Sequence, residues 1–151
     1  MIKGVQLLEI KKFADNRGFL SEIWQSSKFP DFTPRQMNFT VAHPKTIKAF
    51  HFHEKQQDFW FCVNGNIEAV LFDRRKDSET FGKTQTVVMG EFNSVGLLIP
   101  REVAHGYRVL GEQAAGLIYL VDAKYDAKSP DEGRIPHDDP EIGFDWETVP
   151  R

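Results

Sequence analysis

The sequence predicts an all-β fold, a sandwich or barrel that forms a single domain over residues 1–151. Short runs rich in valine, isoleucine, leucine and phenylalanine recur along the chain, and Gly, Pro, Asn or Asp separates them, which is typical of strands and their turns. The runs are VQLLEI, DFWFCVNG, NIEAVLFD, TQTVVM, SVGLLIP and AGLIYLVD. No internal repeat with a period of about 20 to 50 residues is present, which argues against a repeat architecture.

The sequence also predicts the structure of three segments outside the apolar runs. Asn64-Gly65-Asn66 separates two of the runs and predicts a tight hairpin, because Asn and Gly tolerate positive φ. One short, weak helix is predicted around SEIWQSSKF, at residues 21–29. The tail from Ser129 is rich in Pro and Asp, and we expect it to pack on the domain through Phe144 and Trp146 rather than to form a second domain.

The composition narrows the classes of function. Nineteen Lys and Arg residues against 22 Asp and Glu give a net charge of −3, and the basic residues are dispersed, so nucleic acid is not an expected partner. The first 13 residues, MIKGVQLLEIKKF, are too short and too charged for a signal peptide or a membrane span. We therefore expect a cytoplasmic protein that does not contact a membrane. The single cysteine, Cys62, excludes an internal disulfide and a multi-cysteine zinc site.

Two histidines stand two places apart in the apolar stretch FHFHEKQQDFWF. Side chains alternate along a strand, so His51 and His53 are predicted to share one face. An all-β chain of this size with this pattern favours a small jelly-roll barrel that holds a ligand in its mouth.

The same region resembles the metal-binding motif of the cupins. His51, His53, Asp58 and Gly65 fit the cupin spacing, with Asp where Glu is usual, and PREVAH supplies the His105 of a second motif. Three imidazoles and one carboxylate suit a divalent transition metal and leave positions open for a substrate. The glycines that usually precede both motifs are absent.

A second resemblance extends from about Phe13 to Trp146. The strings DNRGFLSE, RQMNFT, KAFHFH, VNGNIEAVLFDRRKDSETFG, LLIPREVAHGY, LIYLVDAKY and DDPEIGFDW follow one another as in the dTDP-4-dehydrorhamnose 3,5-epimerase family. That family is a dimeric jelly-roll cupin that works without a metal. The two resemblances agree on the fold and differ in the chemistry that they imply.

The epimerase resemblance implies a role for each matching position. The substrate would be a 4-keto-6-deoxy sugar carried on a nucleoside diphosphate, and the hydrogens next to its ketone are acidic enough for removal by a positioned base. The resemblance makes His51 the base and Tyr119 the acid, with His105 and Lys48 near the ketone oxygen, where they would stabilise the enolate. It also assigns substrate binding to Arg17, Glu22, Gln36, Asn38 and Tyr125.

Three departures from the family pattern point towards metal binding. The family pairs its base with an Asp beyond the DW motif, whereas this chain stops at Arg151, so it resembles a short variant without that segment. Asp58 stands where the family has a lysine, and His53 stands where it often has Gln or Ala. Because a metal-bound nitrogen has no electron pair left for a proton, His51 cannot be base and ligand at once. We predict that Asp58 points inward if the metal site exists and outward if it does not.

The sequence leaves three candidate functions, in decreasing order of preference. The first is a metal-free, cofactor-free epimerase or isomerase of nucleotide sugars in deoxysugar or polysaccharide biosynthesis, and it is slightly favoured because its match covers far more of the chain. The second is a metal-dependent cupin enzyme, an isomerase or an oxygenase. The third is a sugar-binding protein without activity. In each case we expect a homodimer, because pairing across a two-fold axis covers open sheet edges.

Overall fold

The computed structural model describes residues 1–147, and its regular structure is almost entirely antiparallel β. The twelve strands are β1 (Gln6–Glu9), β2 (Phe13–Asp15), β3 (Gly18–Leu20), β4 (Gln36–Ala42), β5 (Ile47–Phe52), β6 (Asp58–Asn64), β7 (Asn66–Asp73), β8 (Thr84–Gly90), β9 (Val95–Ile99), β10 (Val103–Leu110), β11 (Ala115–Val121) and β12 (Gly133–Arg134). Within residues 1–147 no helix is long and apolar enough to cross a membrane.

Two five-stranded sheets pack face to face as a jelly-roll barrel, which confirms the predicted fold class. The first sheet has the strand order β1-β9-β6-β11-β4, and the second has the order β12-β5-β10-β7-β8. The main core lies between them, where side chains such as Trp60, Leu71 and Leu97 are almost completely buried. Strands β2 and β3 form a separate hairpin arm.

The predicted hairpin at Asn64-Gly65-Asn66 is wrong. Gly65 does adopt a positive φ of 67°, as a tight turn requires. However, β6 pairs with β9 and β11, whereas β7 pairs with β8 and β10. The turn therefore carries the chain from one sheet to the other. The prediction fails because a strand that is buried on both faces can pack in either sheet, and its local sequence does not determine its partner strand.

The predicted helix at residues 21–29 is reduced to a single 3-10 turn, Ser26–Lys28. Consecutive serines favour local hydrogen bonds over helix propagation, and no side chain caps the start of the turn. Phe29 next to it is buried in a second apolar cluster and packs against Phe59 with ring centroids 5.3 Å apart. Tertiary packing rather than helix formation fixes this segment.

The tail packs on the second sheet as expected. Strand β12 adds to the edge of β5, with Arg134 opposite His51. The Trp146 ring lies 5.4 Å from the Phe50 ring, and its indole nitrogen donates a hydrogen bond to the His137 carbonyl. Phe144 packs against Trp146. Residues 148–151 of the predicted tail lie outside the described residues.

Candidate active site

A cavity of about 1060 Å³ opens between the sheets. Strands β4, β6 and β11 of one sheet and β5 of the other line it, together with the segment after β11. Many of the residues singled out in the sequence lie on its wall, namely Gln36, Asn38, Lys48, His51, His53, Asp58, Tyr119 and Tyr125. The fold thus brings together residues that are more than 80 positions apart in the chain.

An irregularity in β5 aims two of these side chains into the cavity. His105 of β10 is paired with His51, and Tyr107 is paired with Lys48, so two residues of β5 lie opposite Gly106. Such a bulge resets the alternation of side chains along a strand. Lys48 and His51 are three positions apart, and in a regular strand they would point to opposite faces, yet both line the cavity.

His105 lies behind His51 and is 2% exposed. Its Nδ1–H is placed to donate to the Val103 carbonyl at 2.9 Å, which leaves Nε2 as the atom with a free electron pair. That Nε2 is buried and has no hydrogen-bond partner within the described residues. The His105 and His51 rings meet edge to face, with centroids 4.1 Å apart.

His53 follows β5 directly and is oriented by the tail. Its Nδ1 faces the backbone carbonyl of Asp131, so Nε2 points the other way, to a position 3.9 Å from Oδ1 of Asp58. The Asp131 carboxylate accepts hydrogen bonds from the backbone N–H groups of Glu54 and Lys55, at 3.0 and 2.8 Å. Asp131 therefore holds both the His53 ring and the backbone that directly follows it.

Asp58 begins β6 and points inward, with only 1% exposure. Its Oδ1 accepts a hydrogen bond from the Gln56 amide at 2.8 Å, and its Oδ2 accepts one from the Trp60 indole at 3.3 Å. Nε2 of His105 lies 3.7 Å from Oδ2. This orientation is the one that the metal-binding interpretation of the sequence requires.

The four residues form one compact group. One ligand atom from each of His51, His53, Asp58 and His105 lies within 4.8 Å of all the others. Burial lowers the pKa of His51, and the nearby His105 lowers it further. Burial alone would raise the pKa of Asp58, but His105, His53 and the Gln56 amide outweigh it and hold that pKa below its ordinary value. At neutral pH the group therefore contains a neutral His51 ring and an ionised carboxylate.

Tyr119 and Lys48 line the same cavity. Tyr119 lies on β11, paired with Asn38 on one side and Trp60 on the other. Burial raises the pKa of Tyr119, and the Asp58 carboxylate raises it further, so the phenol keeps its proton at neutral pH. Lys48 Nζ donates a hydrogen bond to Thr40 Oγ1 at 3.0 Å.

Hydrogen bonds also organise the predicted binding residues on β4. The Gln36 amide donates to Asn38 Oδ1 at 2.9 Å, and Gln36 Oε1 accepts from the Tyr125 backbone N–H at 3.1 Å. The side-chain amides of β4 and the ring of Tyr125 thus line one wall of the cavity.

Arg17 and Glu22 do not line this cavity. Arg17 lies at the tip of the β2–β3 arm, where it pairs with Asp15 and its side chain is 84% exposed. Glu22 lines a separate cavity of about 170 Å³ together with Lys11 and Lys28. Arg17 lies on the arm and Glu22 follows it, so within one chain both lie apart from the other residues assigned to substrate binding.

Sequence reasoning missed the residues that hold the histidines in place. Asp131 contacts His53 only because β12 pairs with β5, and a two-residue strand in a Pro-rich tail leaves no recognisable pattern. Gln56 and Trp60 each stand two positions from Asp58, but nothing in the spacing shows that they donate to its carboxylate.

The comparisons with known proteins identify the family. A family model described as dTDP-4-dehydrorhamnose 3,5-epimerase matches residues 1–151. The chain belongs to this family. The spore coat polysaccharide biosynthesis protein SpsL of Bacillus subtilis is 46% identical to it over 148 residues, which cover 98% of each protein.

Solved structures of the epimerase family share the fold. The dTDP sugar isomerase of Desulfovibrio desulfuricans superimposes with a TM-score of 0.88 at 26% identity and covers 99% of this chain and 94% of its own. The dTDP-6-deoxy-D-glucose-3,5-epimerase of Legionella pneumophila, solved in complex with dTDP-4-keto-L-rhamnose, gives a TM-score of 0.84 at 27% identity. It covers 96% of this chain and 79% of its own.

Proposed function

We propose that this protein epimerises a 4-keto-6-deoxy sugar carried on a nucleoside diphosphate, in the biosynthesis of a deoxysugar or a polysaccharide. One observation carries the proposal: the cavity places Lys48, His51 and Tyr119 on its wall, at the positions that resemble the reaction centre of the family. Three side chains from strands of opposite sheets meet there only because the barrel folds as it does.

The chemistry follows from the ketone of such a sugar. A hydrogen on the carbon next to the ketone is removed by a base, and a proton is returned to the opposite face of the ring. The histidine wall of the cavity, formed by His51 and His53, accepts the first proton, and the phenol of Tyr119 donates the second. In the protein without a metal, the acceptor on that wall is the His51 ring. Lys48 contributes a positive charge near the enolate oxygen.

The nucleotide part of the substrate is supported by two further observations. The Legionella relative was solved with a dTDP-linked keto sugar. In this chain the polar side chains of Gln36 and Asn38 line the cavity beside Tyr125, and their amides offer hydrogen-bond donors and acceptors to a polar ligand. A cavity of about 1060 Å³ is large enough for a ligand of that size.

The proposal is tested by hydrogen exchange in deuterated water. Incubation with a 4-keto-6-deoxy nucleotide sugar is expected to place deuterium at carbon 3 or carbon 5, measured by NMR and mass spectrometry. The His51→Asn variant should abolish this exchange, and the exposed His43→Asn variant serves as its control. The Tyr119→Phe variant should lower turnover by about 100-fold or more while retaining the first exchange, because abstraction precedes reprotonation.

Two outcomes would contradict the proposal. Exchange that survives both His51→Asn and Tyr119→Phe would contradict these roles. A folded protein that binds dTDP but exchanges no hydrogen with any such sugar would contradict the proposed activity, and it would favour a sugar-binding protein.

We also propose that the protein is a cytoplasmic homodimer. Strand β4 is an edge strand of the first sheet, and its outward side chains Met37, Phe39 and Val41 are 67%, 60% and 51% exposed. The β2–β3 arm presents further exposed apolar side chains, including Phe19 and Leu20. An apolar edge of this kind favours association, and a two-fold axis lets one copy cover the other. The cytoplasmic location remains a prediction from the sequence.

A further inference from the structure

We infer that His51, His53, Asp58 and His105 bind one divalent transition-metal ion at the reaction centre. The inference deepens the proposed function, because it names the occupant of the histidine wall. It rests on that function only for the role of the ion in the reaction, since binding can be measured without any substrate.

The spacing of the four ligand atoms fits one ion. Nε2 of His53 lies 3.9 Å from Oδ1 of Asp58, and Nε2 of His105 lies 3.7 Å from Oδ2. These separations are too long for hydrogen bonds, which span about 2.7 to 3.2 Å. Ligand atoms at about 2.1 Å from one ion lie about 3.4 Å apart at the tetrahedral angle and about 3.0 Å apart at the angles of a five- or six-coordinate shell, which leaves a position open for a substrate. A small inward movement of the side chains would complete such a shell.

The backbone fixes the orientation that metal ligands need. The Nδ1 atoms of His53 and His105 face the carbonyls of Asp131 and Val103, so both rings turn Nε2 towards the centre of the group. Ligating histidines characteristically donate their other ring N–H to a carbonyl or a carboxylate in this way. The arrangement therefore has the outer hydrogen bonds of a metal site as well as its inner ligands.

The buried Nε2 of His105 has no hydrogen-bond partner within the described residues, and this also points to a cation. A buried polar atom without a partner is costly, and nearly all such atoms in folded proteins are paired. This nitrogen is turned towards Asp58 and the other two histidines, which also present electron pairs. The Asp58 carboxylate is itself an acceptor and cannot satisfy the electron pair of this nitrogen, whereas a cation between the two attracts both.

The ligand types indicate the class of ion. Three imidazoles and one carboxylate suit manganese, iron, cobalt, nickel, copper or zinc. Gln56 and Trp60 hydrogen-bond to the Asp58 carboxylate and fix its direction. Because His51, His53 and Asp58 line the cavity, a free coordination position would face a bound sugar. An ion there would polarise the ketone oxygen and stabilise the enolate charge. With the ion bound, His51 would be a ligand, and a hydroxide on the ion would accept the proton that the sugar carbon loses and become water.

The test begins with metal content. The protein is expressed without a histidine tag, and its metals are measured by inductively coupled plasma mass spectrometry. We expect close to one equivalent of a divalent transition metal per chain. His53→Gln and Asp58→Asn should each lower the affinity by about 100-fold or more, while the exposed matched controls His43→Gln and Asp77→Asn should keep the metal.

Wild-type protein provides a readout that does not depend on the folding of a variant. After removal of bound metal with a chelator, titration with Co²⁺ should give visible absorption bands that saturate at one equivalent. Protein that contains no transition metal and also gives no saturable Co²⁺ spectrum overturns the inference. Metal that is retained at full stoichiometry by folded His53→Gln and Asp58→Asn variants overturns it as well.

The deuterium-exchange assay separates this inference from the proposed function. Metal binding without exchange would uphold the site and contradict the epimerase. Exchange in protein that binds no metal would uphold the epimerase with His51 as the base and contradict the metal site. If both hold, removal of the metal should stop the exchange and its return should restore it.

Discussion

Asp58 determines the sign of the charge at the centre of the cavity. The family pattern that the sequence resembles has a lysine at this position, and the chain places a buried carboxylate there instead. A lysine would stabilise an enolate directly, whereas a carboxylate beside three imidazoles attracts a cation. The ligand residues around Asp58 could be predicted from the sequence, because the H-x-H spacing and Asp58 follow a known ligand pattern. The hydrogen-bond partners of the histidines could not be predicted, because Asp131 and Val103 contribute backbone carbonyls, which every residue has.

A second buried carboxylate, Asp73, stabilises the loop after β7. Its two oxygens accept hydrogen bonds from Arg75 Nε at 2.8 Å and from the hydroxyls of Ser78 and Thr80, both at 2.6 Å. Burial alone would raise the pKa of Asp73, but these hydrogen bonds outweigh it and hold that pKa below the ordinary value of 3.8. The folded state therefore favours the ionised form more strongly than the unfolded state does.

The Asp73→Asn variant is expected to lower the free energy of unfolding at pH 7 by about 1 to 3 kcal/mol, because Arg75 loses its charged partner. For a carboxyl whose pKa is depressed by folding, the stabilisation is fully present above the unfolded pKa of about 4 and is lost as the pH falls towards the folded pKa. The difference between wild type and variant should thus shrink below about pH 4.

Urea unfolding measured from pH 7 down to pH 3 checks this expectation. The exposed Asp77→Asn variant in the same loop is the control and should match the wild type at every pH. A difference for Asp73→Asn that stays constant with pH would show that the charge of Asp73 does not stabilise the fold.

At the scale of the element, the bulge in β5 determines which side chains reach the cavity. Alternation along a strand correctly predicts that His51 and His53 come together. It cannot place Lys48 beside them, because the bulge depends on how closely β10 approaches. A Cβ atom added at Gly106 would lie 2.4 Å from the Ala49 Cβ and 2.7 Å from the Lys48 carbonyl oxygen. Glycine at this position is what lets the two strands approach.

The Gly106→Ala variant should therefore force β5 away from β10. We expect a loss of about 1 to 3 kcal/mol in the free energy of unfolding from overpacking. We also expect weaker metal binding, because His51 and His105 lie on the two separated strands. Denaturant unfolding and metal titration measure the two effects.

Gly111→Ala is the matched control for this variant. Gly111 has a φ of 75°, so alanine is strained there, but no atom lies within 4 Å of the added Cβ. This control should lose some stability and keep its metal affinity. Equal metal affinity in Gly106→Ala and the wild type would show that the close approach of the strands does not shape the site.

At the scale of the whole molecule, the sequence predicted the fold class but not the order of the strands. Apolar runs and turn residues identify strands wherever a chain alternates between buried and connecting segments. The pairing of β1 with β9, or of β4 with β11, joins segments far apart in the chain, and their local sequences do not encode it. The turn at Gly65 is a further example, because a strong local turn signal does not determine whether the next strand stays in the same sheet.

The exposed face of β4 leads to a prediction about assembly. Wild-type protein should be a dimer at micromolar concentration, measured by light scattering coupled to gel filtration. Phe39→Asp places a charge on the apolar edge and should yield monomers, because an unpaired buried charge opposes association. The side chains of Asn38 and Thr40 face the cavity and remain in place.

Phe92→Asp is the control for this substitution. Phe92 is 82% exposed and lies in the turn between β8 and β9, so the variant should remain dimeric. A monomeric wild type, or a dimer unaffected by Phe39→Asp, would contradict the assignment of β4 to the interface.

The ligands of the inferred ion come from both sheets, since Asp58 belongs to the first sheet and the three histidines belong to the second or directly follow it. An ion held between them is a cross-link across the mouth of the barrel. The unfolded chain has no such site, so by mass action the ion stabilises only the folded state, by about 2.7 kcal/mol when its free concentration is 100 times its dissociation constant. Availability of the metal would then determine both the stability of the folded barrel and the chemistry of its cavity.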